Sequence, residues 1–269
     1  MRVATFNLMN GRSLADGLVD EARLRDSLAS LHADVIGLQE VDRDQPRSNL
    51  LDLTRTAARA LGAPEDGHRF AAAVVGTPGL TYRPAEHDWD GTGEPTYGVA
   101  LVSRWPVRRW QVHRLRPAPV RSPVYLPGPR RGMIWLHDEP RVVLAAVIEA
   151  PQGPFTVATT HLSFVPGWNL RQLLGTLRWL RRFPAPRILL GDLNLPAGVT
   201  VPLVAAAGWR QLARQATYPA PAPQVQLDHV LAHPRAAFPA GLPAQSLHLA
   251  VSDHRALLVD LPAEGGTRF

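Results

Sequence analysis

Short apolar runs recur along the whole chain. They occupy residues 3–8, 35–41, 99–103, 142–148, 155–161, 188–193, 227–231 and 256–261. Runs of this length, bounded by Gly, Pro and Asx clusters, read as strands. Helical spacing appears between some of them: Leu24, Leu28 and Leu31; Leu50, Leu53, Ala57 and Leu61; Leu170, Leu173, Leu177 and Leu180. Arg171, Arg178, Arg181 and Arg182 accompany the third stripe and read as its solvated side. Many strands with few crossover helices predict largely antiparallel sheets, packed together and covered by helices. Gly- and Pro-rich loops are expected at about 76–97 and 116–131, and around Pro219, Pro221 and Pro223. None reads as a linker, because chemically suggestive residues stand on both sides of each. One domain is expected over 1–262, with a tail at 263–269.

Composition narrows the chemistry. There is no cysteine, which excludes disulfides, thiol catalysis and cysteine-bound zinc. No apolar run reaches 18 residues, the length of a membrane-spanning helix, and no signal-peptide pattern follows Met1. A cytoplasmic monomer is expected. The net charge is +6, and all 29 basic residues are arginine. Such a surface attracts nucleic acid, anionic lipid headgroups or small phosphoesters, although blanket use of Arg equally reflects genome composition.

Six segments set carboxylates, amides or imidazoles at the ends of apolar strands. Asn7 ends the first run, where a turn residue is the plain alternative. Glu40 ends the second, and a surface ion pair to Arg43 would also serve it. His161 ends the run beginning at Phe155, where a hydrogen-bonded core histidine is the alternative. The most informative is Ile188-Leu189-Leu190-Gly191-Asp192-Leu193-Asn194. Side chains two apart on a strand share a face, roughly 6–7 Å apart. Asp192 and Asn194 therefore offer one carboxylate and one amide to the same small volume, which suits a hard cation or a phosphoryl group. Asp228-His229 and Asp253-His254 follow near the C-terminus, with carboxylates able to orient a histidine.

Taken in order, Asn7, Glu40, His161, Asp192 with Asn194, Asp228 and Asp253 with His254 resemble the endonuclease/exonuclease/phosphatase superfamily. The motifs read Phe6-Asn7, Leu38-Gln39-Glu40, Thr160-His161-Leu162, Gly191-Asp192-Leu193-Asn194, Leu227-Asp228-His229-Val230 and Ser252-Asp253-His254. The resemblance implies an α/β (α+β) fold: a four-layer sandwich of two mixed, mainly antiparallel sheets face to face, helices outside, with the site at one end. It implies a Mg²⁺ or Mn²⁺ ion held by Glu40, with Asn7 and Asp253. Asp192 would position or deprotonate water, Asn194 would bind a phosphate oxygen and His161 would contact the phosphate. His254, oriented by Asp228, would be a general base or a cationic stabiliser. The residues do not choose between Asp192 and His254 as proton acceptor.

The implied activity is metal-dependent hydrolysis of a phosphoester, foremost a phosphodiester, in nucleic acid or in a small or lipid substrate. Val41-Asp42 stands where abasic-site endonucleases carry Thr-Lys. Leu195-Pro196 stands where 5-phosphatases carry an aromatic, and the disulfide of secreted deoxyribonucleases is absent. The pattern is closest to the broad bacterial metal-dependent hydrolase branch. A catalytically silent member acting as a binding module is the alternative, but it would be expected to have lost Glu40, Asp192 or His254. Between 95 and 137 there is no acid and there are eight arginines, interleaved with Trp105, Trp110, Tyr125 and Trp135. This stretch is expected at the mouth of the site, on an extended anionic partner. A solvated insertion is the plain alternative.

Overall fold

The computed structural model describes residues 1–86, 93–126, 132–151 and 153–262. The tail expected at 263–269, and Arg130 and Arg131 of the acid-free stretch, lie outside the described residues. In chain order the elements are β1 (Arg2–Asn7), α1 (Glu21–Ala29), β2 (Val35–Arg43), α2 (Leu53–Leu61), β3 (His68–Gly76), β4 (Tyr82–Pro84), β5 (Thr96–Ser103), β6 (Val107–Leu115), β7 (Arg121–Leu126) and β8 (Gly132–His137). Then come β9 (Arg141–Ala150), β10 (Gly153–His161), α3 (Trp168–Leu180), β11 (Arg187–Asp192), α4 (Ala197–Ala206), β12 (Arg210–Gln211), β13 (Asp228–His233), β14 (Ala244–Leu247) and β15 (Ala256–Asp260). The eight apolar runs fall on β1, β2, β5, β9, β10, β11, β13 and β15.

Two large sheets carry the molecule. One has seven strands in the order β14-β15-β1-β2-β5-β3-β4, the other six in the order β12-β13-β11-β10-β9-β6. Among the described residues only β1–β2 and β10–β11 pair in parallel. Side-chain alternation sorts the core into layers. Val3, Val35, Val99 and Leu101 of the first sheet meet Val142, Leu144, Val157, Ile188 and Leu190 of the second. On its outer face the first sheet packs Phe6, Ile36, Leu38 and Val102 against Leu24 and Leu28 of α1 and Leu53, Ala57 and Leu61 of α2. The second packs Val143, Ala145, Ala158 and Leu189 against Leu173, Leu177 and Leu180 of α3. The result is the helix–sheet–sheet–helix sandwich expected from the motifs.

Local chemistry sets the boundaries. Asp20 and Asp52 cap α1 and α2 by accepting the Arg23 and Arg55 N–H groups at 2.7 and 3.0 Å. The Asp52 cap explains one departure from the expected stripe: Leu50 lies before the helix and is 62% exposed. Two expected loops also hold strands, β4 and β7. β4 is three residues long and β7 contains Pro123, so neither shows an alternating apolar run. β7 and β8 pair only with each other, apart from both sheets. β6 is an edge strand rich in Arg, Gln and His, and its sequence hides it for the same reason.

At Gly37 the two sheets approach closely. A Cβ there would lie 2.7 Å from Thr159 Oγ1 and 3.0 Å from Leu190 Cβ, both on the opposite sheet. Gly37→Ala is expected to destabilise the protein by about 1–3 kcal/mol through overpacking. Equilibrium denaturation checks this, and an unchanged midpoint would refute the close approach.

Candidate active site

The site residues converge because their strands end together. β10, β11 and β13 are neighbours. His161 is the register partner of Asp192, and Asp192 that of Asp228, so three chemical groups lie in one row across the second sheet. Gly191 permits this: a Cβ there would sit 2.1 Å from the Thr160 carbonyl oxygen. On the first sheet, Asn7 ends β1, while Glu40 sits in a bulge of β2, between Leu38 and Val41. The bulge gives Glu40 a φ of 52°, and Asn194 and Ser252 have φ of 50° and 77°. Left-handed backbone at non-glycine residues is strained and gathers at functional sites.

A cleft of ≈ 620 Å³ opens at this end. Glu40, His161, Asp192, Asn194, Asp253 and His254 line it. Asn7 and Asp228 stand behind them, 1% and 0% exposed. Asn7 donates through Nδ2 to Glu40 Oε1 and Asp192 Oδ2, both at 3.1 Å, tying the two sheets together. Its Oδ1 accepts the Met9 N–H at 3.0 Å, which leaves that oxygen a second lone pair, while its nitrogen orients the two carboxylates. Asp192 Oδ1 accepts the Asn194 N–H at 2.9 Å. Asn194 uses its amide group on the Leu162 carbonyl at 2.9 Å and His161 Nε2 at 3.1 Å. The donor expected to meet a phosphate oxygen therefore orients His161.

His254 lies between two acids. Its Nδ1 is 2.8 Å from Asp228 Oδ2, and its Nε2 is 3.7 Å from Asp192 Oδ2. Ser252 fixes the loop by accepting the His254 N–H at 3.0 Å and donating to the Asn7 carbonyl at 2.6 Å. Burial opposes a charge on His254, but Asp228 and Asp192 outweigh it and push its pKa up to about 10. His161 goes the other way: burial, then Arg141, holds it well below the usual histidine range, and it is neutral. Burial raises Asp192 to about 6 against the pull of His254. Glu40 is pushed to about 7 by burial and by Asp253, against the Asn7 hydrogen bond.

That electrostatic set bears on a cation. Asp192, Asp228 and His254 are close enough to share a metal ion. The 2.8 Å hydrogen bond occupies one His254 nitrogen, however, and a protonated imidazole is no ligand. Glu40 is the better anchor. Its only hydrogen bond among the described residues comes from neutral Asn7, and it faces a second acid, Asp253, across an oxygen-rich wall. Such a donor set fits a hard divalent cation.

The cleft also holds residues not singled out from the motifs: Arg47, Tyr97, Arg141 and Tyr218. Asp42 grips Arg47 with two hydrogen bonds, 2.9 and 2.8 Å, and the guanidinium lies 5.4 Å from the Tyr97 ring centre. Arg141 is 5% exposed, and its Nε has no hydrogen-bond partner among the described residues. An arginine opening the apolar run Arg141-Val142-Val143-Leu144 was the available signal. Three of the arginines expected at the mouth are held elsewhere. Arg108 faces Glu149 at 3.8 Å, Arg109 covers Phe183, and Arg114 donates to the Ala72 and Glu86 carbonyls. Of that stretch, Tyr97 and Leu136 reach the cleft. On β6, His113 stacks on Trp179 of α3 and Arg114 turns to β3.

Solved structures resemble this fold over nearly the whole chain. An endonuclease/exonuclease/phosphatase from Beutenbergia cavernae is 23% identical with a TM-score of 0.66, covering 97% of this chain and 71% of its own. Sphingomyelinase C from Streptomyces griseocarneus is 17% identical with a TM-score of 0.60, covering 96% and 98%. A mannosyl-6-phosphatase from Bacteroides thetaiotaomicron is 15% identical with a TM-score of 0.58, covering 98% and 100%. No curated protein matches the sequence. Among the described residues no helix is long and apolar enough to cross a membrane. Residues 4–254 match the pattern of the Endonuclease/Exonuclease/phosphatase family, and the chain belongs to that family.

Proposed function

We propose that the protein hydrolyses phosphoesters, foremost phosphodiesters, with a divalent cation. One observation carries this reading: a histidine hydrogen-bonded to Asp228 faces Asp192 beside the Asn7–Glu40 pair, all at one cleft. The relatives named for sphingomyelinase and mannosyl-6-phosphatase activity support phosphoester chemistry and leave the substrate open.

Each group has a role that its surroundings support. Asp192, ionised above about pH 6 and steadied by the Asn194 N–H, accepts the proton of the attacking water. His254 keeps its own proton at neutral pH, so it acts as a cation against the charge developing on the phosphoryl oxygens. On this reading Asp192 is the base. Asp228 holds the His254 ring, and Asn194 holds the neutral His161 at the cleft wall. Arg47 and Arg141 make the cleft attractive to an anion. Mg²⁺ or Mn²⁺ held by Glu40 with Asp253 would polarise a phosphoryl oxygen and stabilise the leaving oxygen.

A panel of bis(p-nitrophenyl) phosphate, p-nitrophenyl phosphate, oligonucleotides and choline phospholipids, assayed with Mg²⁺ and Mn²⁺, tests this. Turnover is expected on at least one diester, lost in EDTA and restored by either ion. Full turnover with metal removal verified would overturn the role of the cation, and no turnover anywhere would overturn hydrolysis.

A further inference from the structure

β6 and α3 lie side by side. His113 stacks on Trp179 with ring centres 5.1 Å apart, and the Trp168 Nε1 and Gln172 Nε2 groups both donate to the Arg116 carbonyl, at 2.9 and 3.0 Å. Between them is a second pocket, ≈ 270 Å³, walled by Arg114, Arg116, Trp168, Arg171 and Gln172. Both walls come from stretches without acid: residues 95–137 and 150–191 contain no Asp or Glu. Neither Arg116 nor Arg171 forms an ion pair among the described residues, and both are exposed. The Arg171 guanidinium rests 5.0 Å from the Trp168 ring centre, which restrains a side chain that would otherwise sample many rotamers.

This pocket neighbours the cleft: Leu115 of its wall is the register partner of Arg141 in the cleft wall. Gln172 accepts the Ser163 N–H at 2.8 Å, and the same short loop carries Phe164 into the cleft lining and follows directly from His161. In the first turn of α3, Asn169 donates to the Asn194 carbonyl at 2.9 Å. The Arg116 and Arg171 guanidinium groups therefore belong to a pocket beside the cleft, next to the loop that carries Phe164.

We propose that Arg116 and Arg171 bind a second phosphate group, on a substrate whose scissile phosphoester lies in the cleft. The proposal rests on the hydrolytic reading above. Paired guanidinium groups match the charge and the several acceptor oxygens of a phosphate, and each can bind it through two N–H groups. The second phosphate belongs either to the next unit of a nucleic-acid strand or to a small molecule phosphorylated twice. Both present the same chemistry to the pocket.

Binding is measured first without turnover, in EDTA, by calorimetry with thymidine 3′,5′-bisphosphate and with a dT6 oligonucleotide. Arg116→Gln with Arg171→Gln is expected to weaken binding by about 10- to 100-fold, the effect of losing charge-assisted hydrogen bonds. A control pair farther along the same acid-free stretch, Arg178→Gln with Arg182→Gln, is expected to change binding less than threefold. Undiminished binding in the first variant, or equal loss in the control, would overturn the pocket. A response from the bisphosphate equal to that from dT6 identifies a small ligand as sufficient; a response from dT6 alone identifies a strand. With Mg²⁺ present, the first variant should raise KM for substrates with two phosphates about tenfold. Its kcat, and its kinetics on bis(p-nitrophenyl) phosphate, should be unchanged. Unaltered KM for the former in an enzyme that cleaves the latter would overturn the second-phosphate assignment. Loss of binding in the variant of a protein that turns over no phosphoester would sink hydrolysis and leave the anion pocket standing.

Discussion

His254→Ala is expected to lower turnover by roughly 10²–10⁴-fold with the fold retained. The side chain is hydrogen-bonded to Asp228 and faces Asp192 at 3.7 Å, and alanine would remove the positive charge between the two acids. Asp192→Ala should lower turnover by a similar factor, because it removes the proton acceptor. Asp228→Asn tests whether the pair acts as a unit. An amide can still hydrogen-bond the ring but does not hold its charge, so the variant should be impaired alone and show little additional loss in the His254→Ala background. Independent, multiplicative losses would refute the dyad. The pH–rate profile follows from the same groups. Activity should rise as Asp192 ionises through about pH 6 and fall as His254 loses its proton near pH 10. A limb falling near pH 6.5 would mean that His254 titrates like a free histidine, unassisted by its two acids.

How much of this was legible in the sequence depends on the range of the interaction responsible. The strands of the core announce themselves, because burial on both faces demands unbroken apolar runs such as Val142-Val143-Leu144-Ala145-Ala146-Val147-Ile148. Edge strands do not. β6 needs apolar residues on few positions, and its arginines read as a binding surface until the pleat direction is known. The site was legible as a set of residues, since polar groups closing apolar strands have few bland explanations when six occur together. Their division of labour was not. Whether Asn7 offers oxygen or nitrogen depends on Met9 two residues on, and whether Asn194 has a free donor depends on Leu162 and His161 across a strand pair. Arg47 and Arg141 were missed for a related reason. Arginine is common throughout this chain, and only the grip of Asp42 on Arg47 and the burial of Arg141 separate them from the solvated remainder.

Glu40→Gln is expected to abolish at least 10²-fold of the activity and, at the same time, to stabilise the metal-free protein above pH 7. The second half distinguishes a cation anchor from a residue needed for folding. The Glu40 carboxyl is raised from 4.5 to about 7, chiefly by burial and then by Asp253. A raised pKa means that the folded state favours the protonated form. That contribution to stability is complete below pH 4.5 and is lost as pH rises through about 7. At pH 8 the wild-type protein therefore holds an ionised carboxylate against its surroundings, a penalty that neutral, equal-sized glutamine avoids. A divalent cation bound to Glu40 offsets the same penalty, so Mg²⁺ should raise the wild-type Tm more at pH 8 than at pH 5.5, where protons compete for the site. At 100 times Kd the gain is about 2.7 kcal/mol, roughly 5–10 °C for a protein of this size. In Glu40→Gln the metal-free Tm at pH 8 should exceed that of wild type, and the Mg²⁺-dependent gain should disappear. Thermal scans with and without Mg²⁺ at the two pH values decide it. A Mg²⁺-dependent rise of equal size in the variant would place the cation elsewhere, and a variant less stable than wild type at pH 8 would make Glu40 a structural residue.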